Sequence, residues 1–150
     1  MKAHLDKYWD KISIRADQGD TPYNLRNCAY LKDFDKQKIM YAEIVQKPKF
    51  YLDKNGEFYP EATTFILTGE HVDYLERILN SNITHFIFET FYAGGGLGEH
   101  GTRYKKVFLE NLPIPKPNKE SGVIDDKYIL SMFKSLTQEE LDYILSRLRT

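Results

Sequence analysis

In the stretch Thr63-Thr64-Phe65-Ile66-Leu67-Thr68-Gly69-Glu70-His71-Val72-Asp73-Tyr74-Leu75, the hydrophobic period changes at the glycine. Before Gly69 the residues are mostly β-branched or aromatic, which is typical of a strand, and the glycine ends the run. After it, apolar residues recur at steps of three and four, so they lie on one face of a helix. The stretch therefore predicts a strand over 63–68 followed closely by a helix.

Upstream of this stretch, the sequence contains three further strand candidates. Residues 38–45 form a β-prone run that Pro48 closes. Residues 50–52 and 57–59 flank an Asn55-Gly56 pair, which supplies the positive φ that a tight hairpin loop needs. These candidates predict a mixed or antiparallel sheet built mainly from residues 38–68, with a further strand near 103–109.

Downstream of Gly69, the apolar stripe continues to Phe91, but three cap-forming residues at 80–82 interrupt it. We therefore expect two helices, at about 71–80 and 82–92, that pack four apolar side chains against the sheet: Leu75, Leu79, Ile83 and Phe86. Asp125 or Asp126 can cap a third helix that runs to about Lys134, and 137–140 is a capping box for a fourth. The fold class predicted is α+β.

Length and composition limit the class of protein. The chain has 150 residues, 41% of them hydrophobic and 14% aromatic, which is the size of one domain with a real core. No apolar run approaches the roughly 18 residues that span a bilayer, and no signal peptide is visible. Cys28 is the single cysteine, so an intramolecular disulfide is excluded. We expect a cytoplasmic protein in which Cys28 is buried as a small hydrophobic residue.

The sequence contains no recognisable catalytic motif. The glycine loop at 94–98 lacks the Lys-Ser/Thr pair that binds phosphate and magnesium in a Walker motif. A magnesium-dependent nuclease could use Asp35 and Glu43, but the next lysine, Lys47, is four positions on instead of two. The four histidines show no metal-ligand spacing. The sequence predicts no catalytic site, metal or cofactor in this chain, with a divergent nuclease kept as an alternative.

Charge is uneven, although the formal net charge is only −1. Residues 101–119, named here the basic strip, hold five cations against one carboxylate, with Tyr104 and Phe108 among them. Such a strip is what contact with DNA phosphates requires, and its alternative is an ordinary solvated surface. A second, weaker cluster lies at 26–49. The candidate DNA-binding residues are Arg103, Lys105, Lys106, Arg26 and Lys38.

A series of short motifs follows one another in a characteristic order. Pro22 to Tyr30 precedes the strand that opens at Lys38-Ile39, a helix ends in Leu79-Asn80-Ser81, and Leu112-Pro113-Ile114-Pro115 follows the glycine loop. Over about residues 8–117, this order resembles the TaqI-like C-terminal specificity domain. That domain is the target recognition part of type II DNA methyltransferases and of fused restriction–methylation enzymes.

The resemblance implies sequence-specific recognition of double-stranded DNA without chemistry of its own. In the family, a preceding methyltransferase domain binds S-adenosylmethionine and carries an Asn-Pro-Pro-Tyr-type motif, which this chain lacks. The chain is therefore expected to be a C-terminal piece of an adenine-type methyltransferase or type II restriction enzyme. Its expected partners are DNA and a methyltransferase domain or subunit. The residues that read bases vary within the family and are not transferred.

Two domain-level expectations follow. Residues 1–120 are expected to form the target recognition domain, and 121–150 to form C-terminal helices that pack on it. Four apolar residues make a stripe on the last helix: Leu141, Ile144, Leu145 and Leu148. The stripe fits packing on the domain's own core, and it equally fits docking on a partner, so a protein-interaction or dimerisation module is an alternative function.

Overall fold

The computed structural model of the chain describes residues 1–93, 101–117, 123–133 and 135–148. The chain divides into two compact units, Met1–Lys32 and Asp33–Thr150. Two sequence predictions fall outside the described residues: the glycine loop at 94–98 and the domain boundary near residue 120. That boundary stays a prediction.

The N-terminal unit begins with α1 (Lys2–Leu5), a 3-10 turn (Asp6–Tyr8) and α2 (Trp9–Ile12). A loop follows in which the Gly19 N–H donates to the Asn24 carbonyl at 3.0 Å. A side chain on Gly19 would collide with the Leu25 carbonyl, so the loop closes only around glycine. Cys28 is exposed in this unit, so the prediction that it is buried was wrong.

The larger unit contains two antiparallel sheets. In the first, β1 (Lys38–Ala42) lies between β3 (Tyr51–Asp53) and β4 (Thr64–Leu67). The second pairs β2 (Ile44–Val45) with β5 (Thr102–Arg103). Together with the helices, this architecture confirms the predicted α+β class and an antiparallel sheet from residues 38–68.

Two predicted strands differ from the structure. Residues 57–59 do not form the second arm of a hairpin, because the Asp53 carboxylate accepts the backbone N–H groups of Glu57 and Phe58 at 3.1 and 3.0 Å. Those amides therefore serve a side chain instead of a strand ladder. The strand expected near 103–109 is limited to β5, and residues 106–109 form a short helix.

The helices of this unit are α3 (Val72–Leu79), α4 (Asn82–Ile87), α5 (Lys106–Leu109), α6 (Asp126–Ser131) and α7 (Gln138–Leu148), with a π-helical turn (Phe88–Tyr92) that extends α4. The predicted interruption at 80–82 is confirmed, since the Ser81 hydroxyl accepts the Thr84 N–H and caps α4. In the part of the chain that the structure describes, no helix is long and apolar enough to cross a membrane.

The two C-terminal helices begin as their sequences predict. The Asp125 carboxylate accepts the Tyr128 N–H at 2.8 Å and caps α6. At α7, the Thr137 N–H donates to the Glu140 carboxylate at 2.8 Å, and the Glu140 N–H donates back to the Thr137 hydroxyl at 3.3 Å. This reciprocal pair is a capping box, which satisfies backbone donors that the first helical turn leaves without partners.

The hydrophobic core has two clusters. The first lies between the three-stranded sheet and α3, and includes Ile39, Tyr41, Phe50 and Leu79, with Leu75 packed against it. The second joins α3 and α4 to the C-terminal helices through five buried side chains: Tyr74, Ile78, Ile83, Ile129 and Leu130. Ile83 thus packs on the C-terminal helices and not on the sheet.

The apolar stripe of α7 packs on the second cluster. Its four residues are the ones predicted from the sequence: Leu141, Ile144, Leu145 and Leu148. These residues and the cluster they contact belong to the same unit, Asp33–Thr150. A groove of about 670 Å³ remains between α4 and α7, with Phe86 in its lining.

Candidate nucleic-acid interface

The basic residues at 103–106 are carried by a backbone segment that is fixed on one side by β2. Arg103 pairs with Ile44 and Thr102 with Val45 in the two-stranded sheet. The Tyr104 N–H then donates to the Glu43 carbonyl at 2.7 Å. Gly101 enters this segment at φ 98° and a side chain there would come within 2.5 Å of the Val45 carbonyl oxygen, so glycine is required.

A partly buried polar network holds the segment on its inner side. The Thr102 hydroxyl donates to the Glu89 carboxylate, and the Tyr104 hydroxyl lies 2.8 Å from His85 Nδ1. Burial raises the pKa of Tyr104, and Glu89 raises it further. Burial also lowers the pKa of His85, against the opposing effect of Glu89. Because Thr102 and Tyr104 point inward, the strand alternation turns Arg103 outward.

Three cations lie on the outer side of this segment. Arg103 is exposed and its Nε lies 3.0 Å from Glu43 Oε1, while Lys106 Nζ lies 3.4 Å from Glu110 Oε1. The Lys105 ammonium lies 5.7 Å from the centre of the Phe108 ring. Exposed ion pairs contribute only about 0–1 kcal/mol each. Arg103 and Lys106 can therefore exchange their carboxylates for a phosphate at little cost.

Next to these ion pairs, the sheet opens into two hollows that share Phe65. One, of about 280 Å³, is lined by Tyr41, Phe65 and the Lys106–Glu110 pair among others. The other, of about 410 Å³, is lined by Glu43 and Phe65 among others. Burial raises the pKa of Tyr41, and the negative charges of Glu110 and then Glu43 raise it further. Glu110 lines the first hollow and Glu43 the second, and Phe65, which belongs to both, is stacked on Tyr41.

Comparison with known proteins gives one finding. A family model for the TaqI-like C-terminal specificity domain matches residues 3–114. The chain belongs to this family. No curated protein and no solved structure gives a significant match. The specificity domain is a DNA-recognition module of a restriction–modification system. DNA is therefore the ligand against which the position of its basic residues is assessed.

The predicted contact residues of the specificity domain do not all come together. Arg103, Lys105 and Lys106 share one surface segment of the larger unit. Arg26 is exposed and belongs to the N-terminal unit. Arg103 and Lys106 are partly neutralised by glutamates, whereas Lys105 makes no ion pair among the described residues.

Lys38 requires a correction, because its side chain is completely buried. Its ammonium lies 2.5 Å from Asp53 Oδ2 and donates to the Phe34 carbonyl at 2.6 Å. Lys38 and Asp53 face each other across β1 and β3, so the pair is part of the sheet. A buried ammonium with two oxygen partners does not reach a phosphate, and Lys38 is left out of the interface proposed below.

The Asp53 carboxylate is held ionised by its surroundings. Burial alone would raise its pKa, but the Lys38 ammonium and the N–H groups of Phe58 and Glu57 together hold the pKa well below its usual range. No local pattern predicts this pair, because Lys38 and Asp53 meet only through the register of β1 and β3.

The residues considered for a nuclease have other partners in the specificity domain. The Tyr59 hydroxyl donates to Asp35, and Glu43 pairs with Arg103. Within the described ranges, no three histidine, cysteine or acidic side chains lie close enough together to hold a metal ion.

The sequence does not predict that two glutamates pair with the candidate cations. In the sequence, Glu43 is a candidate nuclease ligand, and Glu110 is the one negative charge of the basic strip. The Arg103–Glu43 pair joins residues 60 positions apart, and it depends on the pairing of β2 with β5. No spacing in the sequence could have predicted it.

Proposed function

We propose that this specificity domain binds double-stranded DNA in a sequence-specific manner and has no catalytic activity of its own. The observation that carries the proposal is the family match over residues 3–114. It is supported by three outward cations on a segment that β2 and the buried network hold in place. A rigid cationic segment can set the register of a protein on a duplex, while other side chains read the bases.

The phosphate contacts are assigned to Arg103, Lys105 and Lys106, with Arg26 as a further contact from the N-terminal unit. Lys105 is half-buried, but it does not have to leave a carboxylate before it binds a phosphate. Arg103 offers a planar guanidinium that can bind a phosphate through two N–H groups.

The partner is proposed to be a methyltransferase domain or subunit of an adenine-type methyltransferase or type II restriction enzyme. S-adenosylmethionine would bind there and not in this chain. By holding the duplex, the specificity domain would let its partner flip the target base into a catalytic pocket. Such a complex would act in the cytoplasm, where the DNA is accessible.

A salt titration of duplex binding tests the proposal. The triple variant Arg103→Ala/Lys105→Ala/Lys106→Ala should bind all duplexes more weakly, with a slope of log affinity against log salt that is lower by about three units. Lys127→Ala is the matched control, because it removes an exposed cation from α6, outside the basic strip. Identical slopes for the wild type and the triple variant would show that these residues are only a solvated surface.

The absence of catalysis needs its own experiment. The pure chain is incubated with plasmid DNA, magnesium and labelled S-adenosylmethionine, and we expect neither cleavage nor methyl transfer. Activity that copurifies with the chain through several steps would contradict the proposal and favour the divergent nuclease.

A second candidate function, protein interaction, has one observation in its favour. The groove between α4 and α7 carries two exposed aromatic side chains, Phe91 at 73% and Tyr143 at 57% of full exposure. This function would be supported if the chain associates with a methyltransferase, if salt does not weaken the association, and if Phe91→Ser abolishes it. Salt-sensitive binding to DNA alone supports the first one.

A further inference from the structure

Two glutamates lie directly beside the proposed phosphate contacts. Glu43 is 3.0 Å from Arg103, and Glu110 is 3.4 Å from Lys106. Glu110 lines one of the two hollows that share Phe65, and Glu43 lines the other. Any duplex held by Arg103 and Lys106 therefore comes within a few ångströms of two negative charges.

A carboxylate in a DNA interface has few acceptable positions. The phosphates repel it, and burial without a hydrogen-bond donor is costly. In the major groove, the donors that a duplex offers are the exocyclic amino groups of cytosine and adenine. A carboxylate that gives up its protein cation in such an interface is therefore satisfied when it faces one of these amino groups.

Main-chain hydrogen bonds fix the backbone at both glutamates. The Glu43 carbonyl accepts the Tyr104 N–H at 2.7 Å, and the residue joins β1 directly to β2. The Glu110 N–H donates to the Lys106 carbonyl at 3.0 Å at the end of α5. The side chains of Arg103 and Lys106 are longer than those of the two glutamates and can reach further from the backbone. On binding, the cations can turn to phosphates, which leaves the carboxylates free to accept other hydrogen bonds.

We infer that Glu43 and Glu110 are base-reading residues, each accepting a hydrogen bond from the exocyclic amino group of a cytosine or an adenine in the major groove. This inference rests on the proposed function and adds the side chains that give it specificity. In the free protein, the Glu43 and Glu110 carboxylates form ion pairs with Arg103 and Lys106. In the complex, the same carboxylates would accept hydrogen bonds from bases. The two ion pairs thus hold the recognition side chains in position before DNA arrives.

The experiment begins with the site that the full chain selects from a random duplex pool. At each cytosine of this site the amino group is removed by a 2-pyrimidinone replacement, and at each adenine by a purine replacement. For the wild type, we expect at least one replacement to weaken binding about fivefold or more. Glu43→Ala and Glu110→Ala should each abolish the effect of replacement at one position, and the base replaced there identifies what is read.

Glu139→Ala is the matched control, because it removes an exposed carboxylate from α7. The Glu139→Ala variant should lose affinity at the same base replacements as the wild type. A purely ion-pairing role for the glutamates predicts a different result: both alanine variants would bind all duplexes more tightly and keep the full wild-type sensitivity to amino-group removal. That result would overturn the inference, and so would a wild type that is insensitive to every replacement. In both cases the binding of DNA, and with it the proposed function, would stand. A wild type that selects no site contradicts the proposed function itself.

Discussion

At the scale of single residues, a lysine buried between two strands depends on its oxygen partners. The Lys38 ammonium has two of them, the Asp53 carboxylate at 2.5 Å and the Phe34 carbonyl at 2.6 Å. Removing one member of such a pair leaves the other charge buried without compensation, which is strongly destabilising, whereas replacing both can be neutral. The pair therefore makes the sheet sensitive to single changes.

We expect Lys38→Met to lower the free energy of unfolding by about 3–5 kcal/mol, because the Asp53 carboxylate stays buried without its cation. Urea unfolding followed by circular dichroism measures the change. The control is Lys54→Met, an exposed lysine in the adjoining loop, which should change stability by about 0.5 kcal/mol at most. Equal effects of the two substitutions would mean that the ion pair contributes nothing.

The same pair predicts how stability depends on pH. The pKa of Asp53 is lower in the folded protein than its unfolded value of about 4. The unfolded chain therefore binds the proton first, so the contribution of Asp53 is complete above about pH 4 and is lost as pH falls below that value. Between pH 7 and pH 3, the urea midpoint should fall further for the wild type than for Asp53→Asn. Asp142→Asn on α7 serves as the control and should behave like the wild type.

At the scale of secondary-structure elements, one amide side chain joins a helix to a strand. Asn80 follows α3, and its side chain accepts the Phe50 N–H at 2.9 Å and donates to the Phe50 carbonyl at 2.8 Å. The Asn80 amide also donates to the Glu76 carboxylate at 2.6 Å. Phe50 is buried in the first core cluster immediately before β3.

Asn80→Ala should lower the free energy of unfolding by about 1–3 kcal/mol, because it leaves the two peptide groups of Phe50 without partners. Asn55→Ala is the control, since Asn55 is exposed and bonds only to Glu57 among the described residues. Chemical denaturation of both variants gives the comparison. A loss no larger than that of Asn55→Ala would contradict the role given to Asn80.

The elements that the sequence predicted well are those with local signals. Ser81, Asp125 and the Thr137–Glu140 box cap helices through contacts three residues away, so their spacing is visible in the chain. The second arm of the hairpin failed because Asp53 captures the amides of residues 57 and 58, and that capture depends on a buried partner from β1.

The candidate site could be predicted only in part. A run of cations near residue 103 is visible in the sequence, and so is the order of motifs that resembles the specificity domain. The burial of Lys38 depends on Asp53, 15 positions away, and the Arg103–Glu43 pair on a contact over 60 positions. These pairings arise from strand register, which a single sequence does not fix.

At the scale of the whole molecule, both core clusters and both sheets lie in the larger unit. We therefore expect a chain that lacks residues 1–32 to keep its fold, with a helical circular dichroism spectrum and one cooperative unfolding transition. The full chain is the reference, and Lys38→Met in the shortened chain should still be destabilising. A shortened chain without a cooperative transition would show that the N-terminal unit is needed for the core.

The contact between Asn80 and Phe50 has a consequence for solubility. β3 is the outer strand of the three-stranded sheet, and the edge of such a sheet can template pairing with another chain. At Phe50, immediately before this edge strand, the side chain of Asn80 binds both the backbone N–H and the backbone carbonyl. Neither group is therefore available to a strand from another molecule, so we expect Asn80 to protect the start of this edge from intermolecular β-sheet growth.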